Sequence, residues 1–330
     1  MCAFFIVSGF YISMIIDEKY SRAEHGVRTF FINRALRLLP AYWAVLVLGA
    51  ILMAIGIRSG DWSAFAPTVS FIRRLAAFAD NALLFPGAAY YGTIAQPLGL
   101  PSIVGREILT YGQCFTIGFE ILFYMAAPFI VRLSTRAVAI AFVLSLAVHI
   151  TPYFLFAPDN ALAPGNYRAW QYEFPPGVLV FFILGCLSYR LYLKVRTWHY
   201  PTALGWASLP LLVLAVTLGH DGLFWRWTST LPAVVVYGLL ALTIPFLFNA
   251  SRQSKIDRMI GDASYPIYLN HLLAIYLALT ILPTVGSASM LLAIGISIGL
   301  ALISLLLIEW PIGRFRAALI VGRSPERGGS

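Results

Sequence analysis

Arg34-Ala35-Leu36-Arg37-Leu38-Leu39-Pro40-Ala41-Tyr42-Trp43 opens a run that stays uncharged to Ile57, and this stretch decides what kind of protein the chain forms. Two arginines three residues apart share one face of a helix. A proline and an aromatic pair follow, and the apolar run that begins there has no place in water. The stretch therefore reads as a cationic patch at a membrane surface. Such a patch suits anionic lipid headgroups, or a phosphate-bearing ligand gripped by guanidinium forks.

The whole chain agrees. Hydrophobic residues make up 60% and charged residues 11% of the 330, with a mean hydropathy of +0.81. A soluble domain has roughly 45–50% apolar and about 25% charged residues. Segments able to span are 2–16, 41–57, 115–131, 138–156, 177–193, 202–219, 229–249, 263–282 and 289–309. Backbone groups in lipid must be bonded internally, and long runs without period-2 alternation call for helices rather than a barrel. The expectation is an all-α polytopic bundle, one membrane-embedded domain over 1–316, with a short disordered cytoplasmic tail at 317–330. Segment 2–16 falls short of the roughly 20 residues a spanning helix needs. No basic leader or cleavage site precedes it. One further helix before Met1 would complete a ten-span topology with a cytoplasmic start.

The formal charge of +9 is a topology signal rather than a nucleic-acid footprint. Loops 17–40, 132–137, 190–201, 250–262 and the tail from 310 hold 17 of the 23 lysines and arginines, and the alternate loops hold six. By the positive-inside rule the first set, with the C-terminus, is cytoplasmic. Residues 58–113 then form an irregular outer piece, interfacial or re-entrant. Loop 157–176 is also outside, and its Tyr167, Trp170, Tyr172 and Glu173 could stack on and bond a sugar, or form an interfacial aromatic belt. Cys2, Cys114 and Cys186 show no metal or redox spacing and read as packed thiols.

Few polar residues sit at membrane depth. Glu120 is costly there, by about 2.5–3.5 kcal/mol at a helix centre, so it needs a partner or a wet cavity. Tyr124 lies one turn on, on the same face. Ser264, Tyr268 and His271, at i, i+4 and i+7, form a polar stripe, with Pro266 expected in a helix's first turn. An imidazole in such a stripe can move protons near neutrality, or simply pack. Glu309 ends the last span near Arg314 and Arg316, where a structural ion pair is the plain reading. His25, His149, His199 and His220 show no partner pattern and read as loop or capping residues. No GxSxG, HExxH, P-loop or dinucleotide fingerprint is present.

Five blocks, in order, resemble the acyltransferase 3 family of membrane O-acyltransferases. They are Phe4-Phe5-Ile6-Val7-Ser8-Gly9-Phe10, Arg34-Ala35-Leu36-Arg37, and Phe115-Thr116-Ile117-Gly118-Phe119-Glu120 with Phe123-Tyr124. Ser264-Tyr265-Pro266-Ile267-Tyr268-Leu269 with His271, and Ile308-Glu309-Trp310-Pro311, complete the set. Phe115 stands where the family pattern has tryptophan. The resemblance implies acyl-coenzyme A, usually acetyl, as co-substrate, no bound cofactor or metal, and a glycan hydroxyl as acceptor at the bacterial inner membrane. It implies that Arg34 and Arg37 meet the coenzyme A phosphates and that Ser8, Glu120 and His271 line the route, with Tyr124, Ser264 and Tyr268 beside them. The family's first helix carries an Arg-x10-His pair whose histidine is its expected base. No histidine here has an arginine eleven residues before it, so that helix would precede residue 1 and the chain is expected to be a truncated member. A transporter or flippase for lipid-linked sugars, or an inactive relative, would also place ionisable groups inside the membrane.

Overall fold

The computed structural model describes residues 2–21, 25–57, 70–72, 82, 84, 111–156, 171–172, 174–198, 203, 205–210, 213 and 231–321. No strand occurs among them, and the fold is all-α. The helices are α1 (Cys2–Ile15), α2 (Gly26–Ala54), α3 (Tyr111–Arg132), α4 (Thr135–Phe156), α5 (Pro175–Val195), α6 (Leu231–Ser251), α7 (Lys255–Ile281), α8 (Ser287–Ser304) and α9 (Trp310–Val321). Single π-helical turns, Ile16–Tyr20 and Leu305–Glu309, extend α1 and join α8 to α9. Among the described residues, Gly26–Ala54, Thr135–Pro152, Pro175–Val195, Lys255–Ile281 and Ser287–Arg316 are long and apolar enough to cross a membrane. The expected outer piece at 58–113, most of segment 202–219 and the tail beyond Val321 lie outside the described residues.

Helix ends differ from the hydropathy boundaries. The charged stretch 255–262, expected as loop, is the exposed first part of α7. Pro266 is consequently not in a first turn but deep in the helix, and buried. Likewise α2 begins at Gly26 and carries both arginines within it, and α9 continues the chain as helix to Val321. Hydropathy marks where side chains meet lipid, whereas the hydrogen-bonded helix runs on past that depth with charged residues facing out.

The helices pack as two compact units. The first holds α1, α3 from Gly118 onward, α4, α5 and α6. Its tightest contact is the crossing of α1 and α5, made possible by two glycines. A Cβ on Gly9 would lie 2.2 Å from the Phe182 carbonyl oxygen, and one on Gly185 would lie 2.1 Å from that of Ile6. No side chain fits between these backbones, which is how small residues let membrane helices approach. Aromatic rings fill the space around the crossing. Phe182 stacks on Phe123 at 4.1 Å and packs on Phe5 at 4.6 Å, and Phe10 meets Tyr189, Tyr192 and Phe248 edge-on. The thiols of Cys2 and Cys186 are free and buried.

The second unit holds α2, α7, α8 and α9. Tyr265 of α7 donates its buried hydroxyl to the Leu38 carbonyl of α2 at 2.8 Å. Asn33 of α2, 1% exposed, accepts from Arg316 Nε of α9 at 3.4 Å and donates to its own helix at the Thr29 carbonyl.

Candidate active site

Glu120 sits in the first unit, on the face of α3 that meets α1. Ser8 donates to Oε1 at 3.0 Å, and the Tyr124 hydroxyl donates to the same oxygen. All three residues are buried. The i, i+4 spacing on α3 stacks Tyr124 over Glu120, and Ser8 of α1 faces them. The sequence motifs around Ser8 and Glu120, 112 residues apart, thus meet at one carboxylate. Phe5, Phe119, Phe123 and Phe182 form the apolar wall beside it. Such a setting can hold a carboxylate and two hydroxyls in a fixed, water-poor arrangement.

The second unit carries a different kind of site. A pocket of about 520 Å³ is lined by Arg37, Asp262, Tyr265, Leu305, Glu309, Trp310, Gly313, Arg314 and Arg316. Three arginine and two acidic side chains line it together. Glu309, expected to pair with Arg314 or Arg316, shares this pocket with both of them, and with Arg37 and Asp262 as well. The two arginines of the opening motif divide. Arg37 lines the pocket, while Arg34 is buried at 6% exposure with its guanidinium 5.8 Å from the Phe30 ring centroid. Asn33, next to it in sequence, holds Arg316. A pocket with guanidinium forks from two helices can bind phosphate groups from more than one side.

The stripe expected on α7 separates. Ser264 is exposed and bonds back to the Gly261 carbonyl of its own helix at 2.7 Å. Tyr268 and His271 are half-buried with ring centroids 5.6 Å apart. His271 Nδ1 lies 2.6 Å from the Tyr268 carbonyl. A carbonyl can only accept, so the neutral ring carries its proton on Nδ1 and its lone pair on Nε2. His271 also lines an apolar groove of about 470 Å³ with Ile267, Ile275 and residues of α8.

Sequence reading missed Asn33, Asp262 and Asn270, the last 2% exposed on the face of α7 that carries Tyr265, Leu269 and Leu273. The helical period of that buried face would have exposed Asn270. Asn33 and Asp262 gave no local signal, since their partners are remote in sequence. His25 does sit at a helix start, immediately before α2, with a φ of 57°. His149 is no loop residue: it is buried within α4 and bonded to the Gly177 carbonyl. His199 and His220 lie outside the described residues.

Comparison with known proteins settles the relationship. Searches of curated proteins and of solved structures found no match. The profile described as the acyltransferase domain matches residues 1–309, from the carboxylate seat of the first unit to the last acidic residue of the arginine pocket. The chain belongs to the acyltransferase 3 family.

Proposed function

We propose that this protein is an integral membrane O-acyltransferase. It moves an acyl group, acetyl in the simplest case, from acyl-coenzyme A to a hydroxyl of a cell-surface or exported glycan. The observation that carries the reading is the arginine pocket of the second unit, joined to the family membership. Coenzyme A presents phosphates, and Arg37, Arg314 and Arg316 supply the forks to hold them. The charge alternation supports placing this pocket on the cytoplasmic side of a bacterial inner membrane, where the donor is made, with the C-terminus on the same side.

The reaction balances without an outside reagent. The acceptor oxygen attacks the thioester carbonyl, the new C–O bond forms as C–S breaks, and the hydroxyl proton ends on the coenzyme A thiol. Within this chain His271, with its Nε2 lone pair, is the group proposed to take that proton first. Glu120, held by Ser8 and Tyr124, is proposed to orient a substrate hydroxyl within the first unit, and the buried Arg34 braces α2 behind Arg37. Tyr268, its ring 5.6 Å from that of His271, stands beside it on α7. Hydrogen-bond donors aimed at the developing oxyanion are commonly worth about 3 kcal/mol each.

The test uses membranes containing the full chain, labelled acetyl-coenzyme A and mass analysis of the product. Label should appear on glycan with the wild type and fall at least tenfold with Arg37→Ala/Arg316→Ala. An unlabelled glycan with the wild type, or equal labelling by the double variant, defeats the reading.

A further inference from the structure

The pocket of the second unit holds more than phosphate chemistry requires. Arg37 of α2 and Arg314 and Arg316 of α9 suit anionic oxygens, but Asp262 and Glu309 line the same space. A carboxylate beside a phosphate opposes its binding by like-charge repulsion. A ligand that was phosphate alone would therefore be held less well for their presence. Glu309 lies within electrostatic reach of Arg37 and Arg316, so it can orient those guanidinium groups. Asp262 comes from the exposed first part of α7, one turn before Tyr265. Trp310, the first residue of α9 and 55% exposed, adds an indole to the lining. The volume of about 520 Å³ falls within the roughly 300–1,000 Å³ of small-molecule sites.

From this lining we infer that the pocket recognises the adenine nucleotide of the donor, with Trp310 stacking on the base and Asp262 accepting from its exocyclic amine. The inference rests on the acyl-transfer reading and deepens it, by naming the end of the donor that is held and the groups that select it. Guanidinium forks from two helices suit the phosphates. An indole offers a flat π-face to a base, which adds affinity but tells one base from another poorly. Selection falls to the carboxylate, which only accepts while ionised. Adenine presents an amine on that edge, where hypoxanthine presents a carbonyl oxygen. An acyl group on a carrier protein's phosphopantetheine arm brings a phosphate but no base, and leaves Trp310 and Asp262 without a counterpart. A phosphoethanolamine headgroup offers a phosphate and a donor, but no planar group for the indole.

The test is competition against labelled coenzyme A on the detergent-solubilised full chain. Adenosine 3′,5′-bisphosphate should displace it about tenfold or more better than inosine 3′,5′-bisphosphate, which lacks the amine. It should also displace better than 4′-phosphopantetheine and phosphoethanolamine. Trp310→Ala should weaken adenosine bisphosphate binding about tenfold or more, with Trp310→Phe restoring most of it. Asp262→Ala should erase the preference for adenosine over inosine. Equal displacement by the two nucleotides on the wild type overturns the inference, and needs no variant to fold. So does stronger displacement by phosphoethanolamine or 4′-phosphopantetheine, or unchanged nucleotide affinity in a folded Trp310→Ala. A wild type that binds no coenzyme A defeats the donor reading itself. One that binds coenzyme A but not the adenosine bisphosphate defeats only the nucleotide site.

Discussion

The acidic side chain of the first unit and those of the second are housed by opposite means. Glu120 is sealed among phenylalanines, and what stabilises it is two hydroxyl donors on one oxygen. Hydrogen bonds to a charged group contribute about 1.5–3 kcal/mol each, so two of them offset an insertion cost of about 2.5–3.5 kcal/mol. Asp262 and Glu309 instead line an open pocket opposite three arginines, where water and mutual charge share the task. The difference teaches which site can afford to change. A close-packed seat tolerates no added atom, whereas an open charged pocket can lose a side chain and keep its fold, at the expense of whatever it binds.

The largest effect that follows is on the crossing of α1 and α5 in the first unit. Gly9→Ala places a methyl 2.2 Å from a backbone oxygen, and backbone cannot swing away as a side-chain end can. The cost should reach about 3 kcal/mol, the upper end for overpacking, seen as loss of monodisperse protein after extraction. A well-folded Gly9→Ala would show that α1 and α5 are farther apart than described. Next is Glu120→Gln, whose amide oxygen still accepts from Ser8 and Tyr124. Stability should change by less than about 1.5 kcal/mol, while acyl transfer falls about a hundredfold or more if the charge takes part in proton handling. Unchanged turnover would reduce the seat to packing.

The pocket answers differently. Arg37→Ala should leave the unfolding midpoint near that of the wild type and raise the KM for acyl-coenzyme A about tenfold or more, the worth of one charge-assisted contact. A stability loss without a KM effect would make Arg37 structural. The smallest effect belongs to Ser264→Ala. Its exposed hydroxyl bonds only its own helix in the interaction described, so stability should stay within about 0.5 kcal/mol with activity unchanged. A large activity loss would return Ser264 to the site.

Much of this was legible from residues alone. The all-α membrane fold follows from long uncharged runs, and the pairing of Glu120 with Tyr124 follows from helical spacing. The role of Gly9 was not legible, because a glycine within an apolar helix looks the same whether it faces lipid or a second backbone. Arg34 and Arg37 looked equivalent in a three-residue spacing. Their separation into one buried and one pocket-lining side chain depends on Phe30 and on α7, α8 and α9, which are packed there by tertiary contacts. Helical spacing also puts Ser264, Tyr268 and His271 on one face of α7, but it does not show that Ser264 lies on the exposed part of the helix while the other two are half-buried. His149 meets the Gly177 carbonyl through the packing of α4 on α5, a contact that its own sequence neighbours do not announce.

Binding of coenzyme A to the purified full chain tests the division between seat and pocket most directly. Titration of coenzyme A into wild type, Arg37→Ala/Arg316→Ala and Glu120→Gln should give matching affinities for the first and third. Affinity should be at least tenfold weaker for the second. Equal affinities for the arginine variant and the wild type, or a loss confined to Glu120→Gln, would contradict the assignment of the donor to the arginine pocket.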